Sequence, residues 1–196
     1  MAKEKKRSVP EIPSAEQVSA ERERLRQRSR FRRTLVSTIA VLIVVAAVSI
    51  LISTLWLPVL QVYGSSMTPL FEDGDIVALV KSSNFETGDI IAFYYNNKIL
   101  VKRVICGPGD WINIDEDGVV YVNDEKLDEP YILDQSLGEC DLTFPYQIPD
   151  EAFFVMGDHR SVSIDSRSSL IGCVRHEQIV GHVVLRMWPI KKISLI

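Results

Sequence analysis

Cysteine is scarce in this 196-residue chain, with only Cys106, Cys140 and Cys173. Three is too few, and odd, for a disulfide framework. None forms a C-x-x-C pair, and the three histidines give no metal-ligand spacing, so no metal is expected. The thiols read as small buried or half-buried groups, with a single disulfide still open if the domain lies outside a cell. A phosphate-binding loop is also missing. Gly-Asp recurs at Gly74-Asp75, Gly88-Asp89 and Gly109-Asp110, each just before an apolar run, but no helix follows. That is turn chemistry.

Charge of one sign is missing over long stretches. No Lys or Arg occurs between Arg33 and Lys81, and no acid in that stretch precedes Glu72. The formal net charge of -4 hides this division. Residues 1–33 hold 11 of the 22 Lys/Arg but only 5 of the 26 Asp/Glu. A basic tail of this kind is expected to be solvated or to touch lipid, and no nucleic-acid partner is expected. With 46% hydrophobic and 24% charged residues, the chain as a whole is neither disordered nor coiled-coil in composition and has room for one modest domain.

What the charge gap contains is a long apolar run. Leu35–Leu57 is Ile, Val, Leu and Ala with a few Ser and Thr. As a helix it would be about 35 Å long, enough for a hydrocarbon core of ~30 Å. Trp56 stands at its far end, where aromatic rings favour the interface, and Pro58 stops the helix. A cleavable leader is the rival reading. Its apolar region would be about 7–15 residues, followed by a small-x-small site. The run here is longer and ends in Leu-Trp-Leu-Pro, so an uncleaved anchor over 34–57 is expected. The near flank carries Arg22, Arg24, Arg26, Arg28, Arg30, Arg32 and Arg33. Positive charge stays inside. Residues 1–33 are therefore expected in the cytoplasm and 58–196 outside, in a single-pass protein of the cell membrane.

Helical periodicity is absent beyond Pro58. Short runs rich in Val, Ile and aromatics, bounded by turn residues, predict strands at Leu60–Tyr63, Ile76–Val80, Ile90–Tyr95, Ile99–Ile105, Trp111–Ile114, Val119–Val122, Ala152–Met156 and His182–Met187. Asn96-Asn97 and Asp115–Gly118 read as hairpin turns. The polar, Pro-containing stretch Glu125–Pro149 reads as a surface excursion. The expected fold class is an all-β domain on one N-terminal transmembrane α-helix.

Three segments carry chemistry. In Gly64-Ser65-Ser66-Met67-Thr68-Pro69 a serine sits on a tight turn soon after the membrane exit. In Ile99–Ile105, alternation puts Lys102 on the face of Leu100 and Val104, and Arg103 on that of Val101 and Ile105. Both faces are otherwise apolar, so at least one cation is desolvated. Burial disfavours an ammonium. From an ordinary ~10.4, half-neutral lysine at neutral pH needs ~4–5 kcal/mol in favour of the amine. A neutral amine can take the proton of a serine hydroxyl. The third segment, Gly157–Arg167, packs Asp158, His159, Arg160, Ser161, Ser163, Asp165, Ser166 and Arg167 into a non-periodic loop suited to a hydrogen-bonded network.

Together these segments resemble the type I signal peptidases. Ser66-Met67-Thr68-Pro69 is similar to the family's nucleophile box, and Lys102-Arg103-Val104-Ile105 with Gly107-Pro108-Gly109-Asp110 to its general-base box. Gly157-Asp158-x-Arg160 and Ser163-x-Asp165-Ser166-Arg167 resemble the third box. Gly181-His182-Val183-Val184 through Trp188-Pro189 resembles the usual ending, so the likeness spans roughly 34–190 in the same order. It implies a β domain on an anchor that cleaves exported, signal-peptide-bearing preproteins at the bilayer without a cofactor. Ser66 would be the nucleophile and Lys102 its general base. Ser163 would orient the lysine, and Arg103 with Asp158 and Asp165 with Arg167 would be supporting ion pairs. The Ser66 backbone N–H would bind the oxyanion, and Val62, Met67, Leu100 and Val101 would line the substrate pocket. Lysine in place of histidine fits the bacterial kind.

Departures are few. Gly64 stands where some members place a serine hydroxyl in the oxyanion hole. His159, Ser161 and Val162 replace residues often Asn or Asp, and Cys106 stands where Gly is usual. Rival chemistries are a sortase-like transpeptidase using Cys173, a Ser-His-Asp peptidase using His159, His176 or His182, and a silent binding module. The first needs a histidine well upstream, and His159 is only 14 residues before Cys173. Finally, eight residues separate Pro58 from Ser66, a reach of at most about 26–29 Å in extended chain. The anchor is thus expected to hold the nucleophile close to the bilayer.

Overall fold

The computed structural model describes residues 15–56 and 58–196. Most of the N-terminal half of the basic tail and Leu57, the expected last residue of the anchor, lie outside the described residues. The chain forms two compact units that divide between Leu51 and Ile52.

The first unit is helical. Helix α1 spans Ala15–Trp56 and is long and apolar enough to cross a membrane. It starts well before the apolar run and takes in the arginine-rich flank, whose side chains are exposed. Arginine and glutamine are good helix formers, so nothing in that flank stops a helix once the apolar run has nucleated one.

The second unit is built of antiparallel strands. These are β1 (Val59–Gln61), β2 (Ile76–Val80), β3 (Ile90–Tyr95), β4 (Lys98–Cys106), β5 (Trp111–Ile114), β6 (Val120–Val122), β7 (Glu125–Lys126), β8 (Tyr146–Gln147), β9 (Ala152–Met156), β10 (Val174–Arg175), β11 (Ile179–Trp188) and β12 (Ser194–Leu195). The larger sheet runs β1-β2-β11-β3-β4-β9-β10, with β12 on β11, and the smaller one runs β7-β6-β5-β8. The all-β expectation holds for this unit.

Period-two alternation buries both faces of the large sheet. Ile90 and Ala92 of β3 pack with Val77, Leu79, Met67 and Phe71, under the turn that carries Ser66. Ile91 and Phe93 pack on the opposite face with Val104, Phe153 and Val155. A third apolar cluster joins Phe154 and Met156 to Ile112, Ile114 and Val120 of the small sheet.

The Gly-Asp pairs are turns, as expected. Gly74, Gly88 and Gly109 have φ of +92°, +99° and +81°, a region glycine enters without a Cβ clash. In each turn the Asp carboxylate accepts the N–H three residues back: Glu72 to Asp75, Glu86 to Asp89, Gly107 to Asp110.

One expectation needs correction. Glu125–Pro149 is not merely a surface excursion. It supplies β7 and β8, buries Ile148, and packs Leu127, Leu137, Leu142, Phe144 and Tyr146 against the core. Its apolar residues are scattered among prolines and acids, so no period betrays them.

Candidate active site

The turn that carries Ser66 is fixed from below and from within. Met67 is 1% exposed, in the core beside Val62 and Phe71. Gly64, at φ +85°, donates its N–H to Asp73 Oδ1 at 2.7 Å. Thr68 donates both its N–H (3.1 Å) and its hydroxyl (2.8 Å) to the Ser65 carbonyl. Ser66 is left half-buried, and its own N–H is bonded to no group among the described residues. That free donor is what an oxyanion hole requires.

Strand β4 brings up Lys102. Its pairing to β3 sets Lys102 opposite Ile91 and Arg103 opposite Ile90. Both cations are buried, at 3% and 9% exposure. Lys102 Nζ lies 2.6 Å from Ser66 Oγ, across 36 residues of sequence. Burial lowers the lysine pKa to about 8, against an opposing pull from Asp165 and Asp158. Near neutrality a usable share of this lysine is therefore free amine.

Arg103 turns away and forks onto Asp158, with Nε to Oδ1 at 2.8 Å and Nη2 to Oδ2 at 2.6 Å. Its third nitrogen donates to the Gly88 carbonyl, and its guanidinium lies 4.0 Å from the centre of the Tyr131 ring. Asp165 and Arg167 form a second two-pronged pair at 2.8 and 2.9 Å, both fully buried. Asp165 Oδ2 also accepts the Gly157 N–H. Desolvation raises the Asp165 pKa, but its hydrogen bonds and the Arg167 charge win, and the carboxyl is held below its usual range.

Ser163 is buried beside these groups at 1% exposure. Its Oγ makes no hydrogen bond of ordinary geometry, to Lys102 or elsewhere, although the hydroxyl still helps keep Asp165 ionised. The expected Ser163–Lys102 bond is thus not formed in this structure. Gly157 explains how near Ser163 comes to Ser66. A Cβ there would meet Ser163 Oγ at 2.3 Å and the Ser66 carbonyl oxygen at 2.5 Å.

A cleft of about 740 Å³ opens beside Ser66 and Lys102. Val62, Met67, Leu100 and Val101, the four expected pocket residues, all line it, with Val59–Gln61 of β1 and Lys98–Ile99 of β4. β1 pairs only with β2, and β9 pairs with β4 only from Arg103 onward. Two strand edges with free N–H and C=O groups therefore border the cleft. A larger cleft of about 990 Å³, with Tyr146, Phe153, Cys173 and His176 among its lining, shares no residue with it. Burial pushes the Cys173 thiol up to about 11, so it is a poor thiolate source.

His176 Nε2 contacts the Ser83 carbonyl and His159 Nδ1 the Thr68 hydroxyl, while the buried Nδ1 of His182 has no hydrogen-bond partner among the described residues. Among the described residues no histidine bonds Ser66 Oγ, so the Ser-His-Asp reading gains no support from the geometry. No group of His, Cys, Asp and Glu suited to a metal occurs among the described residues. One buried pair escaped the sequence reading: Arg160, in the third box, forks onto Glu129 from the 125–149 segment. The i+31 spacing leaves no local signature.

Known proteins resemble this chain in sequence. A signal peptidase IB of Staphylococcus aureus is 37% identical over 147 residues, covering 64% of this chain and 75% of that protein. A signal peptidase I of Bacillus caldolyticus is 39% identical over 150 residues, covering 68% and 80%. The crystal structure of a signal peptidase I from Enterococcus faecalis aligns with a TM-score of 0.41 at 29% identity, over 50% of this chain and 96% of that one. Residues 32–188 match the signal peptidase family, peptidase S26, and the chain belongs to that family.

Proposed function

We propose that this chain is a membrane-anchored serine endopeptidase that removes N-terminal signal peptides from exported preproteins, with Ser66 as nucleophile and Lys102 as general base. The observation that carries this reading is the 2.6 Å contact between the Lys102 amine and the Ser66 hydroxyl, made by a lysine buried to 3% exposure.

The substrate enters as a strand. Its backbone adds to the free edges of β1 and of β4 at Lys98–Val101, and its side chains alternate into the cleft. Val62, Met67, Leu100 and Val101 keep the pocket apolar and favour small residues before the scissile bond. Neutral Lys102 takes the Ser66 proton as Oγ bonds to the scissile carbonyl carbon. The oxyanion accepts the Ser66 N–H. Lys102 then passes its proton to the leaving amine, the C–N bond breaks, and an acyl ester remains on Ser66. Lys102 next takes a proton from water, the hydroxide oxygen bonds to the acyl carbon, and the ester C–O bond breaks as Oγ is reprotonated. The chain's own residues complete this cycle.

The helix fits the same reading. The arginine-rich flank would remain in the cytoplasm and the β domain would face the opposite side. The short link from Pro58 to Ser66 would keep the nucleophile near the bilayer, where a preprotein still held by its own apolar segment presents its cleavage site.

The test is cleavage of a detergent-solubilised preprotein by the wild type, Ser66→Ala and Lys102→Ala. Both variants are expected to lose about a thousandfold or more in kcat. Full activity in either contradicts the assignment.

A further inference from the structure

Two peptide planes flank the nucleophile, and one histidine reaches both. The plane between Ser65 and Ser66 carries the Ser65 carbonyl on one side and the Ser66 N–H on the other. A trans peptide is planar, so whatever holds the carbonyl also aims the N–H. Thr68 holds it, with its N–H at 3.1 Å and its hydroxyl at 2.8 Å. The hydroxyl has a single hydrogen, and a carbonyl oxygen can only accept. That hydrogen therefore goes to Ser65.

His159 Nδ1 lies 2.9 Å from the same Thr68 oxygen. With the Thr68 hydrogen already committed, Nδ1 must donate. Neutral His159 is thus fixed with its hydrogen on Nδ1, leaving Nε2 bare. Nε2 faces Asp134 Oδ1, a buried oxygen with no hydrogen-bond partner among the described residues, at 3.9 Å. Two acceptors do not bond, which accounts for that gap. The backbone N–H of His159 meanwhile donates to the Ser66 carbonyl at 3.1 Å and fixes the next plane.

We propose that His159 and Thr68 are positioning residues: a relay from His159 Nδ1–H through the Thr68 hydroxyl to the Ser65 carbonyl aims the Ser66 N–H at the oxyanion. The proposal rests on Ser66 as the nucleophile. It gives a role to the histidine that departs from the family's usual Asn or Asp at this position. Bonds in series polarise one another, so the histidine strengthens the Thr68–Ser65 bond as well as orienting the hydroxyl. Neither residue touches the reacting atoms.

The experiment compares Thr68→Val, Thr68→Ser, His159→Ala and His159→Asn with the wild type on one preprotein, with Ser66→Ala alongside, and reads kcat and KM separately. Thr68→Val and His159→Ala are expected to lower kcat by roughly ten- to hundredfold with KM nearly unchanged, because the oxyanion contact matures in the transition state. Thr68→Ser keeps the hydroxyl and His159→Asn keeps a donor near the Nδ1 position, so both are expected to recover most of the loss. The double variant Thr68→Val/His159→Ala is expected to be no worse than the weaker single one, since both break one relay. Nitrogen-15 NMR of the neutral imidazole is expected to show the His159 hydrogen on Nδ1. Wild-type kcat in Thr68→Val, a His159→Asn variant no better than His159→Ala, or a hydrogen on Nε2 overturns the relay. Activity in Ser66→Ala would instead overturn the nucleophile assignment, so the two failures are distinguishable.

Discussion

Arg160 and Glu129 form a buried two-pronged ion pair that ties the active-site loop to the segment after β7. Arg160 is fully buried and also donates Nε to the Gly157 carbonyl at 3.0 Å. Removing one member leaves the other charge stranded in low dielectric, which typically costs ~3–5 kcal/mol. Glu129→Ala is therefore expected to be destabilised by about that much in urea unfolding. Glu129→Gln keeps an acceptor and is expected to lose less. Equal losses in the two variants would contradict a role for the charge.

That pair also marks where the sequence stopped being informative. Four of the eight expected strands, Ile76–Val80, Ile90–Tyr95, Trp111–Ile114 and Ala152–Met156, have the observed bounds, because each is an apolar run closed by turn residues. Apolar neighbours at i±2 led to the expectation that at least one of Lys102 and Arg103 is desolvated, and both are buried. The two-residue strands β7, β8, β10 and β12 carry too few residues to show a period. Glu129, Asp134 and Tyr131 touch the site from a stretch whose composition looked like a solvated loop. Such contacts depend on tertiary closure, which local pattern does not encode.

Gly157 is a tight point beside Ser66. A methyl group there would fall 2.3 Å from Ser163 Oγ and 2.5 Å from the Ser66 carbonyl oxygen, and one of those is backbone. Gly157→Ala is expected to lower kcat by roughly a hundredfold, through displacement of the Ser66 turn by a few tenths of an ångström or more. Full activity with unchanged thermal stability would show that the turn relaxes freely.

Lys102 is expected to cost the fold stability. Its pKa in the folded chain is about 8, below the ordinary 10.5, because burial penalises the ammonium. Between those values the unfolded chain binds a proton that the folded chain does not, so stability rises with pH across that window. Below about 8 both states are protonated and the whole penalty is present. Lys102→Met, of similar shape and no charge, is expected to be inactive yet more stable at neutral pH, by up to about 3 kcal/mol. The gain should shrink as pH approaches 10. A variant less stable than the wild type at neutral pH would mean that the amine's contacts outweigh its desolvation.

The Ser66–Lys102 pair is tested most directly by the pH dependence of kcat/KM for preprotein cleavage. Only neutral Lys102 can take the serine proton, so activity is expected to rise with pH as a single-proton limb centred at about 8. A profile flat from about pH 6 to 9, or one governed by a group titrating in the ordinary carboxylate range, would contradict a buried lysine as the base.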